Sequence, residues 1–370
     1  MRKLKICLVS LMIAPDRERS GFEGIYDYLK TQNHDVKLIT GKWNIKLDDP
    51  DIIQVDLIRK RFFWAPQFMF KIAKYLRSHN FDIIHGNGSK GTLPIIFSNK
   101  KKFISTIHDL GPFETKFTTI PIEKYLIKYA VNKATYITTV SNYSKNRIKY
   151  YIPKVNLDKI HVIYNGIGNW FKPKLKKAKK LKEKLNIEGP VLFNFGRIAS
   201  YKGVDDIISS YKIAKKKIPD LNLIIGGAPD FKMTNIYRKW KNQYKDIIFL
   251  GYVPEEEVPI YYSMADILIQ YSFGSEGFGN TQLEALACGT PVISSSLKVY
   301  REILQDNVIF IPPKKPVLLA EAINKLIKDD NLRESLVKKG QEFVKRYSWE
   351  TVGKNLEKVY NQFLLDSQNL

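Results

Sequence analysis

The sequence predicts an α/β protein built from two doubly wound parallel-sheet domains, and three observations carry that prediction. The chain has 370 residues, too many for one ordinary core and suited to two domains of about 150–200 residues each. Short apolar runs alternate with longer stretches of helical period, the rhythm of βαβ units whose parallel sheet is covered on both faces. The rhythm occurs twice, on either side of a turn-rich and lysine-rich interval near residues 165–190.

In chain order, the first half offers strands at Leu4–Val9, Val36–Ile39, Ile52–Leu57, Asp82–His85, Phe103–His108, Tyr136–Val140 and Val162–Tyr164. The first of these opens the longest apolar run, Ile6–Ala14, whose nine residues fall short of the roughly 20 of a membrane-spanning helix. Arg2, Lys3 and Lys5 precede it, as in a secretory signal. Pro15-Asp16-Arg17-Glu18-Arg19 stands where a small-residue cleavage site belongs, so a buried strand is the better reading. Asn165-Gly166-Ile167-Gly168 is a turn cluster, and Phe171-Lys172-Pro173 ends any helix. Beyond it Leu175, Ala178, Leu181 and Leu185 form one apolar face in a lysine-rich stretch, either the first helix of the second domain or a helix lying on a membrane. The second half offers strands at Val191–Phe195, Leu221–Ile225, Ile247–Leu250, Ile267–Gln270, Val292–Ser294 and Val308–Ile311, with helices such as Val204–Ile218 and Pro316–Lys328 between them. The expected domains are 1–170 and 171–348, followed by a last helix in 349–370.

Hydrophobic residues are 44% and charged residues 26% of the chain, which excludes disorder, collagen and coiled coil. Cys7 and Cys288 are the only two cysteines and lie too far apart for a disulfide framework or a zinc site, so the cytoplasm is the expected compartment. The net charge is +23; residues 1–180 hold +20 of it and residues 181–370 the remaining +3. That asymmetry points to an anionic partner such as membrane lipid, nucleic acid or a phosphorylated substrate, against the plainer reading of charge that keeps solvated faces soluble.

Ligands of open parallel sheets gather outside the carboxyl ends of the strands, and the motifs stand there. Gly196-Arg197 follows one strand, with Lys202-Gly203 just before a helix. The glycines permit a tight turn, Arg197 brings a planar fork of donors and Lys202 a point charge, a pair suited to a diphosphate; alone, the pattern suits a surface loop equally well. Ser275-Glu276-Gly277-Phe278-Gly279-Asn280-Thr281 follows another strand and opens a helix, whose amides and positive end face any anion. Glu276 and Glu284 could each accept two hydrogen bonds from vicinal hydroxyls of a ribose or a sugar.

Glu276-Gly277-Phe278-Gly279 with Glu284-Ala285-Leu286-Ala287-Cys288-Gly289-Thr290-Pro291 resembles the E-x7-E signature of retaining GT-B glycosyltransferases of family 4. Gly196-Arg197 with Lys202-Gly203, Val162-Ile163-Tyr164-Asn165-Gly166 and Thr139-Val140-Ser141 resemble other segments of that family, over roughly residues 80–300. The resemblance implies two Rossmann-like domains facing a central cleft, the first for acceptor and the second for donor. It implies that Arg197 and Lys202 hold the donor diphosphate, Glu284 the ribose, and Glu276 the transferring sugar. The backbone of Gly277, Phe278, Gly279, Asn280 and Thr281 would add donors, and Tyr252 and Val253 would meet the nucleobase, although a plain strand-to-helix turn also fits those two. The last helix would cross back onto the first domain.

In the first half the resemblance gives His108, after Thr106-Ile107, a place beside the reacting carbon, which makes His108 and Glu276 the catalytic pair; a packed histidine is the alternative. Asp109 and His85 become acceptor candidates. Asn87 replaces the second histidine of the family's D-x-x-H-x-H segment, which weakens the case for His85, and Asp109 could simply cap a turn. A Gly-Gly pair that in the family approaches the donor phosphate or the acceptor is reduced to Gly21, taken here as donor-binding, in Ser20-Gly21-Phe22-Glu23-Gly24. Arg59, Lys60, Arg61, Phe62, Phe63 and Trp64 combine cations with aromatics as an interfacial anchor does, or begin an ordinary core helix.

The expected function is transfer of a hexosyl unit from a UDP- or GDP-linked sugar to a glycan or lipid-linked acceptor, peripheral on the inner face of the cell membrane. The resemblance implies retention of configuration. No metal and no cofactor are expected, the nucleotide sugar being a substrate, and no nucleic acid. A sugar-nucleotide epimerase on the same architecture and a basic nucleic-acid-binding protein are the rival readings; the latter lacks a recognisable binding motif.

Overall fold

The computed structural model describes residues 2–13, 22–42, 47–58, 60, 63–108, 110–114, 122–274 and 276–368. The chain divides into two compact units, Met1–Gly168 with Tyr347–Leu370 as unit 1, and Asn169–Arg346 as unit 2. Unit 1 begins with β1 (Lys5–Val9), α1 (Phe22–Thr31), β2 (Asp35–Lys42), β3 (Ile52–Asp56), α2 (Trp64–Ser78), β4 (Ile83–Asn87) and α3 (Gly88–Phe97). It continues with β5 (Ile104–Ile107), α4 (Gly111–Glu114), α5 (Ile122–Lys133), β6 (Tyr136–Thr139), α6 (Asn142–Tyr151) and β7 (Ile160–Val162). Unit 2 holds α7 (Leu175–Lys184), β8 (Val191–Phe195), α8 (Val204–Lys215), β9 (Asn222–Gly226), α9 (Thr234–Gln243), β10 (Ile247–Gly251) and α10 (Val258–Met264). After β11 (Ile267–Gln270) come α11 (Asn280–Ala287), β12 (Val292–Ser295), α12 (Lys298–Leu304), β13 (Ile309–Ile311), α13 (Pro316–Lys328) and α14 (Asp330–Val344). The chain then returns to unit 1 as α15 (Trp349–Gln368).

Unit 1 is a seven-stranded parallel sheet in the order β3-β2-β1-β4-β5-β6-β7. Its central strands β1, β4, β5 and β6 are buried on both faces, as a sheet covered twice requires. Ile6 and Leu8 point into a core shared with α1 and α15, and Cys7 and Val9 into one shared with α2, α3, α5 and α6. Residues Gly91–Ile95 of α3 are all buried, because this apolar helix lies between α2 and α5. Ser141 caps α6 by accepting the Ser144 N–H at 3.0 Å.

The register of β6 corrects one expected strand. Thr139, the last residue of β6, pairs with Val162, so β7 ends there and does not run on to Tyr164. His161 and Lys159 had broken the apolar pattern that would have marked its start.

Unit 2 is a six-stranded parallel sheet in the order β10-β9-β8-β11-β12-β13, its main core filled by side chains of α8 and α13. In α7 only Ala178 is buried and Leu175 is exposed, so the expected apolar face is only partly used. The lysines of α7 belong to unit 2, which redistributes the charge. Unit 1 carries 30 Lys+Arg against 17 Asp+Glu, net +13, and unit 2 carries 30 against 20, net +10. The excess is therefore not the property of one unit. Among the described residues no helix is long and apolar enough to cross a membrane.

Candidate functional site

In each sheet the chain reverses direction of growth at one place, β8/β11 in unit 2 and β1/β4 in unit 1. Helices leave to opposite sides there and open a crevice at the carboxyl edge. Arg197, Lys202 and Glu276 stand at the edge of unit 2, and His108 at that of unit 1.

In unit 2 the loop after β8 contains Arg197, exposed and bonded to the Tyr201 hydroxyl at 3.0 Å, and ends in a single 3₁₀ turn, Ser200–Lys202. Gly203 has φ +67°, and a Cβ on it would stand 2.2 Å from the Tyr271 carbonyl oxygen. Only glycine lets this loop lie against the start of the β11 loop. That approach brings Lys202 to Glu276: Nζ lies 2.7 Å from Oε1. The same Oε1 accepts the Ser272 hydroxyl at 2.7 Å, and the Tyr300 hydroxyl donates to Ser272 at 3.4 Å. Tyr300 is wholly buried, and burial first, then the Glu276 charge, raises its phenol well above the usual range, so it stays a donor.

Phe278 is buried, while Gly277, Gly279, Asn280 and Thr281 are half-buried. Gly279, with φ +137°, opens α11 with no side-chain cap, so the helix begins at the glycine loop. Glu284, 4% exposed, accepts the Tyr262 hydroxyl at 3.0 Å. Tyr252 is exposed and Val253 buried. Lys202 and Glu276 are thus brought into contact, and Ser272, Tyr300 and Tyr262 join the site without any motif having announced them.

In unit 1 a pocket of about 320 Å³ lies at the β1/β4 edge, lined by Ser10, Asn87, Lys90, His108, Glu123 and Ile127 among others. His108 Nε2 is 2.5 Å from the Asn87 oxygen, and the Asn87 amide donates to Ser10 Oγ at 3.0 Å. With the amide nitrogen committed to Ser10, the oxygen accepts from His108 Nε2–H. Lys90 and Glu123 pair at 3.2 Å.

His85 corrects an expectation. Its ring is fully buried, with Nδ1 2.8 Å from the Tyr360 hydroxyl and Nε2 2.7 Å from Thr106 Oγ1, so both nitrogens are engaged inside unit 1 and neither is offered to an acceptor. Burial, and then the nearby His108, lowers its pKa to about 3. Lys60 and Phe63 are exposed, and Trp64 is half-buried. Gly21, Arg59, Arg61, Phe62 and Asp109 lie outside the described residues. Among the described residues no group of three or more His, Cys, Asp or Glu could hold a metal ion.

Residues 23–168 match the family described as Glycosyltransferase Family 4, and residues 176–343 that described as Glycosyl transferases group 1. An uncharacterised glycosyltransferase of Methanocaldococcus jannaschii is 30% identical over 303 residues, 79% of either chain. Among solved structures, a sucrose-phosphate synthase from Thermosynechococcus elongatus superposes with a TM-score of 0.80 at 20% identity, over 99% of this chain and all of that one. HepE of Anabaena, solved with UDP and glucose, superposes at 0.79 and 19% identity, over 97% and 99%. Two parallel sheets, each with one switch point, and family matches over residues 23–168 and 176–343 place this protein among the GT-B glycosyltransferases of group 1 and family 4.

Proposed function

We propose that the chain is a retaining hexosyltransferase. It takes its sugar from a UDP- or GDP-linked donor on unit 2 and passes it to a glycan or lipid-linked acceptor on unit 1, peripheral on the cytoplasmic face of an anionic membrane. The observation that carries this reading is the Lys202–Glu276 pair at 2.7 Å. A cation suited to a diphosphate and a carboxylate suited to sugar hydroxyls then flank the bond between sugar carbon and phosphate oxygen. The complex of HepE with UDP and glucose supports the same kind of donor.

As that bond breaks, positive charge grows on the anomeric carbon and negative charge on the departing phosphate. Arg197, Lys202 and the first amides of α11 answer the phosphate with fixed charge and dipoles, the arrangement that lowers such barriers most. Glu276 orients the sugar, and His108 is read as the catalytic residue that unit 1 contributes. The acceptor oxygen bonds to that carbon from the face the phosphate leaves, and its proton passes to a phosphate oxygen. With cations and amides in this role the reaction is read as metal-independent, and no cofactor enters it.

Calorimetric titration with UDP and then GDP, repeated on Lys202→Ala, tests the donor assignment. One nucleotide should bind, with affinity about tenfold or more weaker in the variant, since a charged hydrogen bond is worth about 1.5–3 kcal/mol. Failure of both nucleotides, or equal binding by the variant, would remove the donor site from unit 2. An epimerase would consume the donor with no acceptor present, which a coupled assay of free nucleotide and sugar product separates from transfer.

A further inference from the structure

Two helices of unit 1 carry the same pattern on their outer faces. Along α2 and its preceding turn, Phe63, Pro66 and Phe70 recur at helical spacing, are exposed, and are followed on that stripe by Lys74 and Arg77. Along α5, Ile122, Tyr125 and Tyr129 do the same, 41–70% exposed, followed by Lys133 and flanked by Lys124 and Lys128. The opposite faces bury Phe68, Ile72 and Leu76 from α2 and Ile127 and Val131 from α5 in one core, with α3 packed between the two helices. Both outer stripes therefore belong to one helical layer on one side of the sheet. Burial of a core does not explain them, because the core uses the other faces.

We propose that this paired face of α2 and α5 is a docking surface for an anionic phospholipid bilayer. Aromatic and aliphatic side chains enter the headgroup layer while lysine and arginine stay at its charged surface. Each stripe supplies both kinds in order. α2 and α5 each precede a strand of the parallel sheet, so each begins at the carboxyl edge and runs back along it. Their apolar ends therefore lie at the edge that holds the unit 1 pocket, and their cations trail away from it. The inner side of α5 lines that pocket through Glu123 and Ile127. One helix thus meets lipid outside and the acceptor pocket inside, which suits an acceptor whose anchor stays in the bilayer. Unit 1 has a net charge of +13, of the sign that an anionic leaflet attracts. The surface deepens the proposed function, resting on its reading of a membrane-bound acceptor, and adds α5, which no motif in the sequence singled out.

The test is co-sedimentation of the full chain with vesicles of equal phosphatidylglycerol and phosphatidylcholine, against phosphatidylcholine alone. Wild type should bind the anionic vesicles, and binding should fall as salt is raised from 0.05 to about 0.5 M. The pairs Phe63→Ser/Phe70→Ser and Tyr125→Ser/Tyr129→Ser should each weaken it about tenfold or more, and Lys128→Ser about fivefold. Nucleotide affinity in unit 2 should stay unchanged in all three, which controls for folding and separates failure of this surface from failure of the glycosyltransferase reading. Absence of vesicle binding by wild type, or wild-type binding by both paired variants, would overturn the proposal. So would a dimer in sedimentation that both pairs dissociate, or an oligonucleotide that binds where vesicles do not.

Discussion

If unit 2 holds the donor as proposed, Glu276 and the donor diphosphate compete for the same ammonium, that of Lys202, 2.7 Å from the carboxylate. Replacing the carboxylate should therefore release Lys202 while depriving the sugar of its partner. Glu276→Gln is expected to lower turnover about tenfold or more and to leave nucleoside diphosphate affinity equal or a few-fold tighter. In a Lys202→Ala background the same change should leave affinity where it was, and this double-mutant cycle isolates the pair. A loss of affinity in Glu276→Gln as large as that in Lys202→Ala would refute the competition. Glu276 and Lys202 could be read from the sequence because glycines around them mark loops at strand ends. Ser272 and Tyr300 could not, since their hydroxyls meet across 28 residues through the packing of α12 beneath the loop. His85 misled for the opposite reason: a histidine in a strand looks like a ligand, but here it is a core residue whose two ring nitrogens both meet hydroxyls. Asn87, met as a departure from a pattern, proves to hold His108. His85 also sets a pH dependence. It is neutral in the fold down to about pH 3, whereas the unfolded chain takes up the proton below about 6.5. Stability should then fall as pH drops from about 6.5, by up to about 1.4 kcal/mol per pH unit. Denaturant unfolding between pH 7 and 5 should show this slope reduced in His85→Gln; an identical slope would assign the loss to other groups.

At the scale of elements, α15 is the piece whose place no local signal dictates. Trp349 at its start packs so closely on the backbone of Gly24 in α1 and of Gly166 after β7 that a Cβ would stand 2.0 and 2.4 Å from the indole. Farther along, Glu357 accepts the Tyr28 hydroxyl at 2.7 Å and lies 3.1 Å from His34 Nε2, while the Tyr360 hydroxyl meets His85. These contacts are buried on both sides. Gly166→Ala should overpack the indole and cost about 1–3 kcal/mol. The unfolding midpoint should drop by about 2–4 °C for each kcal/mol, with Gly353→Ala, whose Cβ would press on Tyr28, behaving likewise. A midpoint unchanged within one degree would mean that the indole has room to move. The last helix and its return to the first domain were expected from the family resemblance alone; its individual partners were not legible, because they lie more than 180 residues earlier in the chain.

At the scale of the molecule, the two sheets were legible because both faces of each are covered, so many strands read as short, largely apolar runs: β8 and β11 begin and end at the expected Val191–Phe195 and Ile267–Gln270, although Asn194 and Gln270 are polar. Charge was misread by sequence halves, since the six lysines from Lys172 to Lys180 fall before residue 181 yet belong to unit 2. The return of α15 to unit 1 also fixes an order of events during synthesis. A chain emerging from the ribosome ordinarily completes its domains in sequence. Here unit 1 lacks its last 24 residues until the 178 residues of unit 2 have been added. At about 5–20 residues per second that interval is roughly 9–36 s. Throughout it the groove between α1 and the sheet, with Tyr28, His34 and Ile163 around it, waits uncovered for a helix still being translated. Unit 2, later in sequence, is the first to be complete.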